Sequence, residues 1–118
     1  MAKAEAKLRG VRLSPRKARL VVDQIRGKKV HEARDILAFT VKRTSPVVAK
    51  LLESAVANAE HRAAVDGKRI DSDEYVVSHV SVDGGAVLKR FKAAARGRGM
   101  GRRKPTSHIQ ITISDGEK

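Results

Sequence analysis

Residues 86–106 carry eight Lys or Arg and no Asp or Glu, yet they lie inside the chain, between two segments of alternating pattern. Downstream, Ile109, Ile111 and Ile113 alternate with Gln110, Thr112 and Ser114, and a period of two predicts a strand. Upstream, "YVVSHVSVD" sets Val76, Ser78, Val80 and Val82 on one face and Tyr75, Val77, His79 and Ser81 on the other, again as a strand. Antiparallel pairing of these two strands projects the basic run from the body as a long hairpin, with arms of about ten residues extending roughly 33 Å. Such a length exceeds an ordinary connection. Asp83-Gly84-Gly85 could instead form a tight hairpin turn, the rest being a separate strand. A bulge at that point is the preferred reading, giving a basic hairpin over about residues 83–107. Pro105 has no N–H to donate, so the returning arm should break or bulge there.

The first half is punctuated as helices. Ser14-Pro15 supplies an N-cap and a proline at the first helical position, Leu20, Val21, Gln24 and Ile25 follow, and Gly27 stops the turn. A shorter helix is expected over His31 to Phe39, with Ala33, Ile36 and Leu37 inward and Phe39 in the core. Ser45-Pro46 repeats the start signal, and Val48, Leu51, Leu52, Ala55, Val56, Ala59 and Ala63 make a helical stripe up to Asp66-Gly67. Residues 4–13 alternate weakly and can pair as an edge strand. The order strand, three helices, two long strands predicts an α+β fold: three helices packed on a small antiparallel sheet, with a long protruding β-hairpin. Leu51, Leu52, Val56, Ile109 and Ile111 are expected to meet in its core. The 118 residues suit a single domain, with no internal repeat or linker-like boundary.

Composition narrows the function. The net charge is +13, and it is concentrated: residues 86–106 contribute +8, whereas residues 67–85 contribute −2. A positive field of this size attracts polyanions. The absence of Cys excludes disulfides, thiolate metal sites and cysteine nucleophiles, and fits the cytoplasm. The opening "MAKAEAKLRG" lacks the apolar run of a secretory leader, and no later window reaches transmembrane length, so a soluble protein without a membrane partner is expected.

Apparent catalytic motifs fail on inspection. His31-Glu32-Ala33-Arg34-Asp35 begins like a zinc-protease helix but has Asp35 where the second His must face the metal. Ser14-Pro15-Arg16-Lys17 has the serine-lysine spacing of some acyl transferases, but Ser14 is explained as a cap and no companion motif follows. Gly97-Arg98-Gly99-Met100-Gly101 lacks the third Gly of a dinucleotide loop, Arg102 standing in its place. His31, His61, His79 and His108 have no ligand spacing. No enzyme activity, cofactor or metal is expected.

Polyanion binding remains. Lys and Arg neutralise phosphates, and Arg adds planar bidentate contacts. The aromatics are only Phe39, Tyr75 and Phe91, so phosphate and shape should dominate over stacking of successive bases. Phe91, between Arg90 and Lys92, could be a wedge or stacking contact, and Arg16, Lys17, Arg19, Lys28 and Lys29 could add a second basic face. A basic hairpin also suits a DNA groove, so a β-ribbon architectural DNA-binding protein is the alternative class.

Three pieces carry a resemblance across nearly the whole chain: "SPRKARLVVDQIRGKKVHEARDIL", "AKLLESAVANAEH" and "VDGGAVLKRFKAAARGRGMGRRKPTSHIQITIS". In order and spacing they resemble the bacterial large-subunit ribosomal protein L-twenty-two family. The resemblance implies a structural constituent of the cytoplasmic large subunit that binds 23S ribosomal RNA, supports subunit assembly and lines the nascent-peptide exit tunnel with its hairpin. It implies neighbouring ribosomal proteins and the nascent polypeptide as further partners, a monomer within the ribosome, and a link to macrolide sensitivity. Carried over by position, Leu88, Lys89 and Arg90 begin the tunnel-lining tip, which continues through Phe91, Lys92, Ala93, Ala94, Ala95, Arg96, Gly97 and Arg98. RNA contacts are expected at Arg12, Arg16, Lys17, Arg19, Lys28, Lys29, Lys89, Arg90, Lys92, Arg96, Arg98, Arg102, Arg103, Lys104, Ser107 and His108. The chain departs from many relatives at Ala93-Ala94, where a Pro and a basic residue are frequent, and after Arg98, where an Ala-Asp pair is common.

Overall fold

The computed structural model describes residues 3–93 and 99–115, with backbone alone for 88–93 and 99–104. Strand β1 (Lys3–Val11) is followed by helices α1 (Pro15–Ile25), α2 (Val30–Phe39) and α3 (Ser45–Val65) and a 3-10 turn at Ser72–Glu74. Strands β2 (Val76–Gly84), β3 (Leu88–Ala93), β4 (Gly99–Lys104) and β5 (Ser107–Ser114) complete the order. The C-terminal strand lies in the middle of a three-stranded antiparallel sheet, β1-β5-β2, while β3 and β4 pair only with each other. The fold is α+β, three helices on one sheet. Its principal extents are 66 × 27 × 20 Å and its radius of gyration is 17.6 Å. A compact chain of this length would have a radius of about 13–14 Å, so mass extends well away from the body.

Helices α1 and α3 lie over β2 and β1 respectively, α3 also reaching β5, and α2 packs against both helices. Ile109, Ile111 and Ile113 on the central strand are fully buried with Val21, Val22, Ile25, Leu52 and Val56 in one apolar cluster. Leu51, Leu52, Val56, Ile109 and Ile111, expected to meet in the core, are all in it. Alternation puts the other side of β5, His108, Gln110 and Thr112, on the open face. Among the described residues no helix is long and apolar enough to cross a membrane.

Alternation fails in β2, for a definite reason. Val77 pairs with Ile113 and His79 with Thr112, so Ser78 is an extra residue on β2 alone. A single bulge reverses the phase of the strand. Tyr75 and Val77 therefore point into the core before it, and Val80 and Val82 after it. The expected grouping of Val76 and Ser78 with Val80 and Val82 is corrected accordingly.

Both edges of the sheet are occupied by side chains. On β1, Arg62 Nη1 donates to the Lys3 carbonyl at 2.8 Å and Asn58 Nδ2 to the Glu5 carbonyl at 2.8 Å. On β2, Arg19 Nη2 donates to the Val82 carbonyl at 3.0 Å and Arg26 Nη2 to the Val80 carbonyl at 2.9 Å. Unpaired strand edges invite association with other chains, and these donors close them. Arg34 joins α2 to α3 and the 3-10 turn by gripping Glu53 with Nε and Nη2 and reaching Asp73 with Nη1.

Two helix starts differ from expectation. Ser14 occupies the N-cap position of α1 but its side chain makes no capping bond. At α3 the N-cap is Thr44, and Ser45 is the first helical residue. Its hydroxyl is buried and finds no partner among the described residues. Phe39 is 84% exposed, not in the core. It is the last residue of α2, where the helix face has turned past Leu37 and away from α3.

Candidate nucleic-acid interface

The basic run is positioned by a continuation of the sheet. Gly84 pairs with Ser107, and the next pair is Leu88 with Lys104. Between them Gly85, Ala86 and Val87 stand opposite Pro105 and Thr106, one residue more on the outgoing arm. This is a bulge, so β2 and β5 continue into β3 and β4 and the tight turn at Asp83-Gly84-Gly85 does not form. Pro105 falls where the ladder is interrupted, as its missing N–H requires.

Four hydrogen bonds fix the root of this ribbon. Gly85 N–H donates to the Thr106 carbonyl at 2.9 Å, and Thr106 Oγ donates to the Ala86 carbonyl at 2.5 Å. Ser107 Oγ donates to the Leu13 carbonyl at 2.6 Å, tying the root to the turn before α1. Gly10 N–H donates to His108 Nδ1 at 3.0 Å. Gly10 has φ +70° at an irregularity in the β1–β5 pairing, and this left-handed conformation suits a residue without Cβ. Gly85 is required for a different reason: a Cβ there would lie 2.5 Å from Thr106 Oγ1 and 3.1 Å from the His108 ring.

The register of the ribbon sets cation against cation. Lys89 pairs with Arg103 and Arg90 with Arg102, while Lys92 is opposite Met100 and Phe91 opposite Gly101. Like charges directly opposite one another destabilise an antiparallel pair. No Asp or Glu lies anywhere in residues 86–106 to compensate. Anions from outside would relieve this repulsion. The opposed pairs could have been found in the sequence from the near-mirror spacing of Lys89-Arg90 and Arg102-Arg103, once the register was known.

The predicted site residues divide into several groups. Leu88, Lys89, Arg90, Phe91, Lys92 and Ala93 lie on β3, and Arg102, Arg103 and Lys104 on β4. Ala94, Ala95, Arg96, Gly97 and Arg98 fall outside the described residues. Arg12, Arg16 and Lys17 are exposed near the ribbon root, where the turn before α1 meets Ser107. Lys28 is exposed at the far end of α1, beside Val77. Arg19 is spent partly on the β2 edge. Lys29 pairs with Glu74 at 3.0 Å, and that hydrogen bond, with the charge of Glu74, raises its pKa above the ordinary lysine value. Ser107 is fully buried, and His108 is half-buried with Nδ1 accepting a hydrogen bond from the Gly10 N–H.

Lys7 and Arg9 were not expected at the site. They flank a concavity of about 270 Å³ on the open sheet face, shared with Asp83, His108 and Gln110. Only the pairing of β1 with β5 brings them there, so no local signal marks them. Among the described residues no cluster of His, Cys, Asp or Glu could hold a metal ion.

These features define a class: a small basic α+β protein whose sheet continues into a cation-rich, two-stranded arm. Comparison with known proteins makes it specific. The description of ribosomal protein L22p/L17e matches residues 6–114. The chain is 54% identical over 112 residues to a "Large ribosomal subunit protein uL22" of Geobacter sulfurreducens, covering 95% of this chain and 96% of that one. Proteins of the same name from Pelobacter propionicus and Syntrophotalea carbinolica are 52% and 51% identical over 95% of the chain and 96% and 97% of their own lengths. The chain belongs to the ribosomal protein L22p/L17e family. It is accordingly a structural protein of the large ribosomal subunit, cytoplasmic in bacteria, and not an enzyme.

Proposed function

We propose that this chain binds 23S ribosomal RNA as a single domain, and that its ribbon threads between RNA segments to line the nascent-peptide exit tunnel. The observation that carries the reading is the pairing of Lys89 with Arg103 and of Arg90 with Arg102 in an acid-free arm that leaves the body through a bulge. Carboxylates would be repelled by closely approaching phosphates, and this arm has none. Body cations nearest the root, Arg12, Arg16 and Lys17, extend the same surface, with Arg19, Lys28, Lys29, Ser107 and His108 less freely placed. Arg96 and Arg98, on the connection between β3 and β4, complete the cationic set. Leu88 to Arg98 form the tunnel-facing part, which meets the nascent polypeptide in transit. Neighbouring ribosomal proteins are partners of the body, and the chain enters the subunit as a monomer that supports its assembly.

The test is photocrosslinking from position 91 in purified ribosomes, translating and idle. Adducts with 23S RNA in both, and with a nascent chain only when translating, are expected. Crosslinks confined to surface proteins, or a protein that sediments with duplex DNA in preference to the subunit at matched salt, would overturn the reading.

A further inference from the structure

The corner between α2 and α3 presents an apolar and cationic surface that the ribbon does not account for. Phe39 is 84% exposed and Val41 96% exposed. Val41 also lines, with Leu37, Lys42, Arg43, Pro46 and Ala49, a concavity of about 420 Å³ whose lining has no acidic residue; Phe39, at the end of α2, precedes this segment and is not part of the lining. Three cations of the body are neutralised within the fold, Arg26 by Asp23, Lys29 by Glu74, and Arg34 by Glu53 and Asp73. Lys42 and Arg43 are exposed and have no side-chain partner among the described residues. The corner is also held in place. Thr40 N–H and Thr40 Oγ both bond the Ile36 carbonyl, at 3.0 and 2.6 Å, and Ser45 N–H donates to the Lys42 carbonyl at 3.1 Å.

We infer that this corner is a second RNA contact, in which an unpaired nucleobase seats on the Phe39 ring while Lys42 and Arg43 neutralise the adjoining phosphates. Charge decides the occupant. An apolar patch alone would suit a protein neighbour equally, but two unneutralised cations in an acid-free hollow favour a partner that brings both a flat apolar face and negative charge. A looped-out nucleotide has both. One exposed aromatic fits a single base, not a run of stacked bases, in keeping with the scarcity of aromatics in the chain.

The inference rests on the proposed binding to ribosomal RNA, and its test separates the two. A benzophenone side chain is placed at position 39, and in a second variant at position 91, and purified large subunits carrying each are irradiated. RNA adducts from both positions are expected. RNA adducts from 91 with protein adducts or none from 39 would overturn the corner contact alone, and absence of RNA adducts from both would overturn the wider reading with it. In parallel, Phe39→Ala and Phe39→Trp proteins are compared for retention on the subunit in a salt titration, their thermal midpoints confirming that each is folded. Loss of one base stack should weaken the Ala protein about tenfold to hundredfold, with Trp retaining most of the affinity. Equal behaviour of Ala and Trp would remove the stacking contact.

Discussion

The body and the ribbon are built from the same kind of antiparallel ladder, but opposite terms govern them. In the body, β5 is flanked on both sides by strands and covered by α1 and α3, so Ile109, Ile111 and Ile113 are removed from water. Apolar burial of this kind stabilises by roughly 25 cal/mol for each Å². In the ribbon β3 and β4 have only each other, and their register opposes cations. A lone two-stranded hairpin is marginal in water even without such repulsion. Stability and binding are thus separated along the chain, and the bulge at Gly85–Val87 is where one regime passes into the other.

Excising the ribbon is the most severe way to probe that separation. Replacing 88–104 by a two-residue Asn-Gly turn removes eight cations, so retention on the large subunit at moderate salt should be lost. The urea unfolding free energy of the isolated body should change by no more than about 1 kcal/mol, because the segment removed is a marginal hairpin. A collapse of the body would show that the two regions are not separable. The reverse result is expected from Ile111→Ala on the central strand, which should cost about 2–5 kcal/mol in the same urea titration. RNA crosslinking from the ribbon of the still-folded fraction should persist.

The boundary itself can be tested at Gly85. A Cβ there meets Thr106 Oγ1, whose proton is already committed to the Ala86 carbonyl. Gly85→Ala should therefore cost about 1–3 kcal/mol and lower hydrogen-exchange protection at Thr106 and Ser107. Wild-type protection at those two amides would mean that the root yields easily.

A smaller effect is expected from Tyr75, at the start of β2. Burial, and secondarily the charge of Asp115, raises its pKa above the ordinary tyrosine value of about 10. The folded protein then holds the phenolic proton more tightly than the unfolded one. Stability should be full below about pH 10 and decline as pH rises through the folded value, since unfolding releases the proton. Thermal midpoints measured across this range should fall less steeply in Tyr75→Phe. The smallest change is assigned to Ser45→Ala. A capping serine would lose about 0.5–2 kcal/mol on this substitution, but the Ser45 hydroxyl is buried without a partner, so removing it should leave stability unchanged or raised by up to about 1 kcal/mol.

Much of this architecture was legible because its signals are local. The stripe from Val48 to Ala63 is a helical period, and all seven of its members are buried or half-buried along one face of α3. Ile109, Ile111 and Ile113 are a strand period, and Pro105 announces a break in pairing by its chemistry alone. Phe39 was misplaced because hydrophobicity says only that burial is favourable, not that a helix end still faces the core. Ser45 was misread as a cap because Ser-Pro marks a helix start to within one residue, and here Thr44 precedes it. Arg19 looked like a second-face RNA ligand, although its guanidinium also serves the β2 edge.

The sequence by itself determined the elements, the division between an apolar body and an acid-free arm, and the family. Period, punctuation and charge are read within a few residues of one another and need no knowledge of what folds against what. Tertiary structure alone decided that β5 is the central strand, that Ser78 reverses the face of β2, that Lys89 and Arg90 stand opposite Arg103 and Arg102, and that Lys7 and Arg9 meet His108. Each of these depends on the register between distant segments. A one-residue slip in register exchanges the two faces of a strand while leaving its local pattern unchanged, so only packing against the helices can select among the alternatives.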